Sequence, residues 1–237
     1  LLAGFPCQPF SIIGARKGFQ DARGTLFFEI ARILKEKQPP YFVLENVKML
    51  AGDNKGETLK RILTILRSMD YIVDLRILNA LNFGLPQKRE RVLIVGRKTL
   101  VPYAWPEGDM PMTPLSNILE KKVPREFYAS ERIRKSRQAE HRASCQPAIW
   151  HENKGGNVSS HPYSCALRAG ASYNYLLVDG VRRLTPRELL RLQGFPESFK
   201  IVCPVSATRT QVGNAVPVPL VEAVLRNLIP TIKREPK

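Results

Sequence analysis

The segment Thr25 to Val47, TLFFEIARILKEKQPPYFVLENV, carries the pattern from which the fold is read. Leu26, Phe27, Ile30, Ile33 and Leu34 recur at helical spacing as far as Lys37, where Pro39 and Pro40 end the pattern. The run Tyr41 to Leu44 is short and apolar, rich in aromatic and β-branched residues. It ends on Glu45, Asn46 and Val47, as a buried parallel strand does when it delivers polar groups at its carboxyl edge.

The alternation continues outward from this segment. A second helix is expected with Leu59, Ile62, Leu63, Leu66 and Met69 on one face, then a strand over Tyr71 to Leu78 and a fully buried one over Val92 to Val95. Leu1 to Phe5 reads as the tail of a strand whose beginning is missing, so a fragment is expected. Alternating strands and helices argue for an open, mainly parallel α/β sheet with function at the carboxyl ends of its strands. Cys7 and Glu45 both fall at such ends.

After Arg97 the character changes. Pro102, Pro106, Pro111 and Pro114 punctuate a stretch without periodicity, and a basic polar segment runs from Lys121 to Arg142. Gln146 to Asp179 suits small twisted strands joined by loops. Regularity returns at Thr185, an N-cap with Pro186 at the first helical position and Glu188 completing a capping box. The expected organisation is a partial α/β region over 1–97, a second, smaller domain over 98–180, and a segment over 181–237 that rejoins the first and ends in a helix.

The chain has 237 residues, 43% of them hydrophobic, enough for one substantial core and a smaller lobe. Thirty-seven Lys and Arg against 21 Asp and Glu give a formal net charge of +16. The excess is spread along the chain rather than along one amphipathic helix, which favours nucleic acid over a membrane surface. No apolar run approaches the roughly 20 residues of a membrane helix. The four cysteines form no CxxC pair, and the three histidines match no ligand spacing, so no metal is expected.

Four short segments carry chemistry. Gly4 to Ser11, GFPCQPFS, puts Cys7 in a tight turn past a strand, where amides and cations can favour a thiolate; taken alone, it fits a buried structural cysteine equally well. Glu45 offers a carboxyl group at the same sheet edge, although strand ends often carry a solvated Glu. In Gln87 to Arg91, an extended chain puts Gln87, Arg89 and Arg91 on one face and Lys88 and Glu90 on the other, suited to a base carbonyl or phosphates, or else to a solvated charge run. Gln211 to Pro217, QVGNAVP, sets Gly213 and Asn214 just before a helix amino terminus, a place for a polar ligand or an ordinary cap.

In order, these segments resemble the cytosine-5 DNA methyltransferase family of the bacterial restriction-modification type. GFPCQPFS is similar to its Pro-Cys loop, Glu45 to Val47 to its Glu-Asn-Val motif, and Gln87 to Arg91 to its Gln-x-Arg-x-Arg motif. Arg182 to Pro196, RRLTPRELLRLQGFP, resembles the block beside its target-recognition region, and Gln211 to Pro219 its last motif. The resemblance implies an N-terminally truncated Rossmann-like α/β fold with a target-recognition domain over 98–180. It implies S-adenosylmethionine as methyl donor, with Cys7 attacking C6 of a flipped cytosine, Glu45 binding N3 and the exocyclic amine, Arg91 holding O2 and Arg89 supporting the site. Pro6, Leu26 and Asn214 correspond to positions that border the donor. Because no Gly-rich loop precedes Cys7, the donor site is expected to be incomplete.

Expected partners follow from the same resemblance. Double-stranded DNA is to be met by Gln8, Ser11, Arg16, Gln87, Arg183 and Asn157, the last in a flexible loop with Gly155 and Gly156 and placed to fill the hole left by the flipped base. The protein is expected to act as a monomer on the nucleoid in the cytoplasm of a bacterium or archaeon. A companion restriction endonuclease at the same site is left open. Two rival readings remain: a transfer-RNA cytosine-5 methyltransferase using the same Cys and Glu, and a catalytically incomplete DNA-binding fragment.

Overall fold

The computed structural model describes residues 1–6 and 25–233. In chain order the elements are β1 (Leu2–Gly4), α1 (Thr25–Lys37), β2 (Tyr41–Val47), α2 (Glu57–Arg67), β3 (Ile72–Asn79), β4 (Gln87–Lys88) and β5 (Glu90–Arg97). They continue with α3 (Glu131–Glu140), β6 (Ile149–Glu152), β7 (Val158–His161), β8 (Ser164–Cys165), β9 (Leu176–Val178), α4 (Pro186–Leu192), α5 (Val205–Asn214) and α6 (Val218–Lys233). Two compact units result. One comprises Leu1–Leu78, Glu90–Pro106 and Arg226–Lys237, the other Asn79–Arg89 and Glu107–Leu225.

The first unit is the α/β layer expected from the alternation. Its sheet has the order β1-β2-β5-β3. β1 and β2 are parallel, with Gly4 opposite Glu45, whereas β5 is antiparallel to β2. The link from β3 to β5 holds no crossover helix, and a strand returned by so short a connection comes back antiparallel. Phe27, Ile30 and Leu34 of α1 and Ile62 and Leu66 of α2 pack with Phe42, Leu44, Val92 and Ile94 in one core. β2 and β5 bury both faces over Tyr41–Leu44 and Arg91–Arg97, which explains their unbroken apolar runs. Gly96 is required there, since a Cβ would lie 2.1 Å from the Phe42 ring. Leu26, grouped with the buried face by spacing, is 45% exposed because the buried stripe follows Phe27 rather than Leu26.

The second unit holds a three-stranded antiparallel sheet, β7-β6-β9, and the short parallel pair β4-β8. The segment from Thr185 to Asn214, expected to rejoin the first region, lies in this unit. The reason is a fully buried carboxylate. Glu188 takes both Arg182 guanidinium nitrogens at 2.9 and 2.8 Å, the Thr185 amide at 2.8 Å and the Glu120 amide at 2.8 Å. The Thr185 capping box expected from the sequence is present. Val205–Ile229 is apolar enough by composition to cross a bilayer, but it is broken between α5 and α6, and neither helix reaches the roughly 20 residues a span needs.

Candidate active site

At the carboxyl end of the parallel pair β1-β2, Gly4 and Glu45 stand side by side. A Cβ on Gly4 would lie 3.2 Å from Glu45 Oε2, so glycine makes room for the carboxylate. Glu45 Oε1 is 2.7 Å from Arg91 Nε, with the two side chains 18% and 10% exposed. The antiparallel register brings Arg91 there, because it sits in the first residues of β5 opposite Val47, the last residue of β2. Burial pulls the Arg91 guanidinium below its ordinary range, and the Glu45 carboxylate opposes that shift by charge and hydrogen bond. The pair is a partly desolvated acid and cation at a strand end, where charge interactions are stronger than in water.

Asn46, which the sequence reading passed over, fixes the exit of β1. It is 2% exposed, and its Nδ2 donates to the Phe5 carbonyl at 2.9 Å while Oδ1 accepts the Val47 amide at 2.8 Å. Phe5 packs on Phe27 with ring centroids 5.6 Å apart. The backbone is therefore anchored two residues before Cys7. Cys7 itself, with Gln8, Ser11 and Arg16, lies outside the described residues. Pro6 is exposed, as is Leu26 on the first turn of α1.

The alternation expected over Gln87 to Arg91 is observed, with Gln87, Arg89 and Arg91 0%, 2% and 8% exposed. Their surroundings differ from the expectation. Gln87 has no exposed surface with which to meet DNA: Nε2 donates to the Leu192 carbonyl at 2.8 Å and Gln193 Oε1 at 3.2 Å, and Oε1 accepts the Leu167 amide at 3.1 Å. Arg89 donates to the carbonyls of Leu167 at 2.7 Å, Gly213 at 3.0 Å and Ala215 at 2.7 Å. Gln193, fully buried, donates to the Val212 carbonyl at 2.7 Å. These three residues tie separate segments of the second unit through buried hydrogen bonds. Gln193 lies in the quoted block RRLTPRELLRLQGFP, but an isolated Gln carries no signal of burial.

Asn214 ends α5 and lies just ahead of α6, which starts at Val218. Its side chain is exposed and makes no hydrogen bond among the described residues, while the carbonyls on either side of it are those held by Arg89. Gly213 is forced by packing, since a Cβ would come within 2.3 Å of the Ala169 nitrogen. These positions fit a role in holding a polar ligand group, with Asn214 offering an amide on a clamped backbone.

Arg183 is half-buried, and its guanidinium donates to the carbonyls of Phe127 and Glu126. Asn157 is exposed at the end of the β6-β7 hairpin turn, which is hydrogen-bonded rather than loose. Asn153 Oδ1 accepts the amides of Gly155 at 2.8 Å and Asn157 at 3.0 Å, and Gly156 supplies the positive φ of 82°. Among the described residues, no group of three or more His, Cys, Asp or Glu side chains is placed to hold a metal ion.

Residues 1–230 match the family described as C-5 cytosine-specific DNA methylase. The chain is 54% identical over 226 residues to the Type II methyltransferase M.NgoBI of Neisseria gonorrhoeae, covering 94% of this chain and 71% of that protein. It is 50% identical over 232 residues to the Type II methyltransferase M.HaeII of Haemophilus aegyptius, covering 97% and 73%. Among solved structures, the S. pombe Dnmt2 methyltransferase superposes with a TM-score of 0.70 at 21% identity, over 99% of this chain and 78% of that one. That likeness is one of fold.

Proposed function

Because the chain belongs to the C-5 cytosine-specific DNA methylase family, we propose that it transfers a methyl group from S-adenosylmethionine to C5 of a flipped cytosine in duplex DNA, with Cys7 as nucleophile. The observation that carries this reading is the Glu45–Arg91 pair, 2.7 Å apart, at the strand end that leads to Cys7. A pyrimidine ring resists addition until the charge entering it is neutralised, so a nucleophile, an acid and a cation must converge on one flat base. A stacked base cannot be reached in this way, which requires extrusion from the duplex.

In the proposed sequence the Cys7 thiolate forms a bond from Sγ to C6. The electron pair displaced from the C5–C6 double bond moves into the ring toward N3 and O2. Glu45 meets N3 and the exocyclic amine, and Arg91 meets O2, so the ring charge is held and C5 becomes nucleophilic. S-adenosylmethionine, when bound, supplies the electrophilic methyl group to C5 and departs as S-adenosylhomocysteine. Loss of the C5 proton to a solvent base, with departure of Sγ from C6, restores the aromatic ring and frees Cys7. Arg89 and Gln87 are positioning residues, and Pro6, Leu26 and Asn214 are the positions of this chain that would border the donor.

Finer proposals accompany this reading. Gln8, Ser11, Arg16 and Arg183 contact DNA, and Asn157 on its rigid turn enters the space left by the flipped base. The enzyme works as a monomer on the nucleoid of a bacterium or archaeon, beside a restriction endonuclease of the same site. The formal charge of +16 supports a polyanionic substrate. The test is a transfer assay with methyl-labelled donor, run side by side on duplex DNA and transfer RNA, with digestion to nucleosides. Label in 5-methyldeoxycytidine is expected; label confined to RNA, or at another base atom, would overturn the reading.

A further inference from the structure

Within the second unit, a cavity of about 260 Å³ has Arg168, Arg183 and Arg209 with Tyr173 and Tyr175 in its lining, beside apolar side chains such as Phe127, Leu167 and Leu189. The Arg209 guanidinium lies 3.9 Å from the Tyr173 ring centroid, Arg183 lies 5.8 Å from the same ring, and Arg168 lies 4.9 Å from that of Tyr175. The single acid in the lining is Glu126, and neither it nor the three arginines form an ion pair among the described residues. The contrast with Arg89 is informative. Arg89 spends its donors on three carbonyls, whereas the exposed Arg168 side chain donates to nothing among the described residues.

The wall is also pre-built. Arg209 donates to the Ala171 and Ser172 carbonyls at 3.3 and 3.1 Å. The close approach of Gly213 to Ala169 holds the backbone beside Arg168, and the Tyr175 hydroxyl accepts the Arg168 amide at 3.1 Å. Three like charges around one cavity repel one another, and an entering anion relieves that repulsion. Guanidinium forks match phosphate oxygens, and a stacked tyrosine presents a face to a sugar or base. Such a site is small beside the roughly 300–1,000 Å³ pockets of drug-sized ligands. It suits one phosphodiester and part of its sugar.

The geometry points to a phosphate-binding pocket formed by Arg168, Arg183, Arg209 and Tyr173, which takes one backbone phosphodiester of the duplex and sets the register of DNA on this unit. This inference rests on the DNA-methylating reading above. A phosphate contact adds affinity without sequence information, so its loss weakens all duplexes alike and lowers the salt dependence.

The experiment measures binding of two unrelated 20-base-pair duplexes by the 237-residue chain across a range of salt concentrations, for the parent and for Arg168→Gln and Tyr173→Ala. Arg168→Gln keeps the first carbons of the stem and removes the guanidinium with its charge, its donors and its contact with Tyr175. We expect about tenfold weaker binding of both duplexes, with the slope of log K against log salt reduced by roughly 1. Affinity and slope that match the parent would overturn the proposal, as would a loss confined to one duplex. A second arm follows thermal stabilisation by inorganic pyrophosphate, which needs no DNA. Saturable stabilisation of the parent that is lost in Arg168→Gln supports the pocket, and its absence from the parent overturns it. If the parent binds neither duplex, the DNA-methylating reading fails, and the pyrophosphate arm alone decides whether the pocket takes phosphate.

Discussion

Replacing Arg89 by Met tests how the second unit is held together. Arg89 is 2% exposed and donates to three carbonyls, of Leu167, Gly213 and Ala215, at 2.7, 3.0 and 2.7 Å. Met fills similar space but leaves the Leu167 and Gly213 carbonyls without this donor, each at a desolvation cost of roughly 1–3 kcal/mol, while the Ala215 carbonyl keeps the Gln193 Nε2 at 3.2 Å. Two such carbonyls together come to about 4 kcal/mol. With a urea dependence of roughly 2 kcal/mol per molar, the midpoint falls by about 2 M. The loss sits below the roughly 5–15 kcal/mol of a typical domain, so Arg89→Met remains folded in buffer. The two tryptophans provide the readout, since Trp150 lies in the second unit and Trp105 in the first. In a Trp105→Phe background, Trp150 fluorescence reports the second unit alone. A midpoint within about 0.5 M of the parent would refute the claim that Arg89 anchors these segments.

Further outcomes follow from the same geometry. Gly4→Ala places a methyl group 3.2 Å from Glu45 Oε2 and displaces the carboxylate, so methyl transfer should drop on the order of tenfold with an unchanged urea midpoint; unchanged turnover would contradict the site. His151 is held below its ordinary value of 6.5 by burial first and then by the Arg168 charge. The unfolded chain therefore binds the extra proton more readily, and stability rises with pH up to about 6.5 and is lost on acidification below it. His151→Phe should flatten that slope, and an identical pH profile by urea melts would count against it.

Much of the first unit is legible in the sequence, because its signals are local. The stripe Phe27, Ile30 and Leu34, the stop at Pro39 and Pro40, and the run Tyr41 to Leu44 each report packing through periodicity. The capping box at Thr185 is equally local, although the other contacts of Glu188, with Arg182 and the Glu120 amide, are not. Two helices escaped the reading. α3 has almost no apolar stripe and is fixed by Arg137, whose guanidinium reaches Glu152 Oε2 and the Asn174 carbonyl at 2.6 Å each. α5 contains Gly213, a residue that disfavours helix, and is kept there by close approach to Ala169. The direction of Gln87 was hidden for a related reason: period-two alternation gives the face, but not what that face meets.

The site divides in the same way. Glu45 at a strand end could be placed from sequence, yet its partner Arg91 depends on the antiparallel return of β5, a long-range fact. Asn46 carries no pattern that marks it as the group gripping the Phe5 carbonyl.

The central claim is that Cys7 adds to C6 of cytosine, and exchange of the C5 hydrogen tests it most directly. Addition at C6 makes C5 able to take a solvent proton, so duplex DNA carrying tritium at C5 of cytosine should release it to water even without methyl donor. Tritium release by the parent chain, abolished in Cys7→Ala and reduced about 10²–10⁴-fold in Glu45→Gln, is the expected result. Release that persists undiminished in Cys7→Ala would contradict the account.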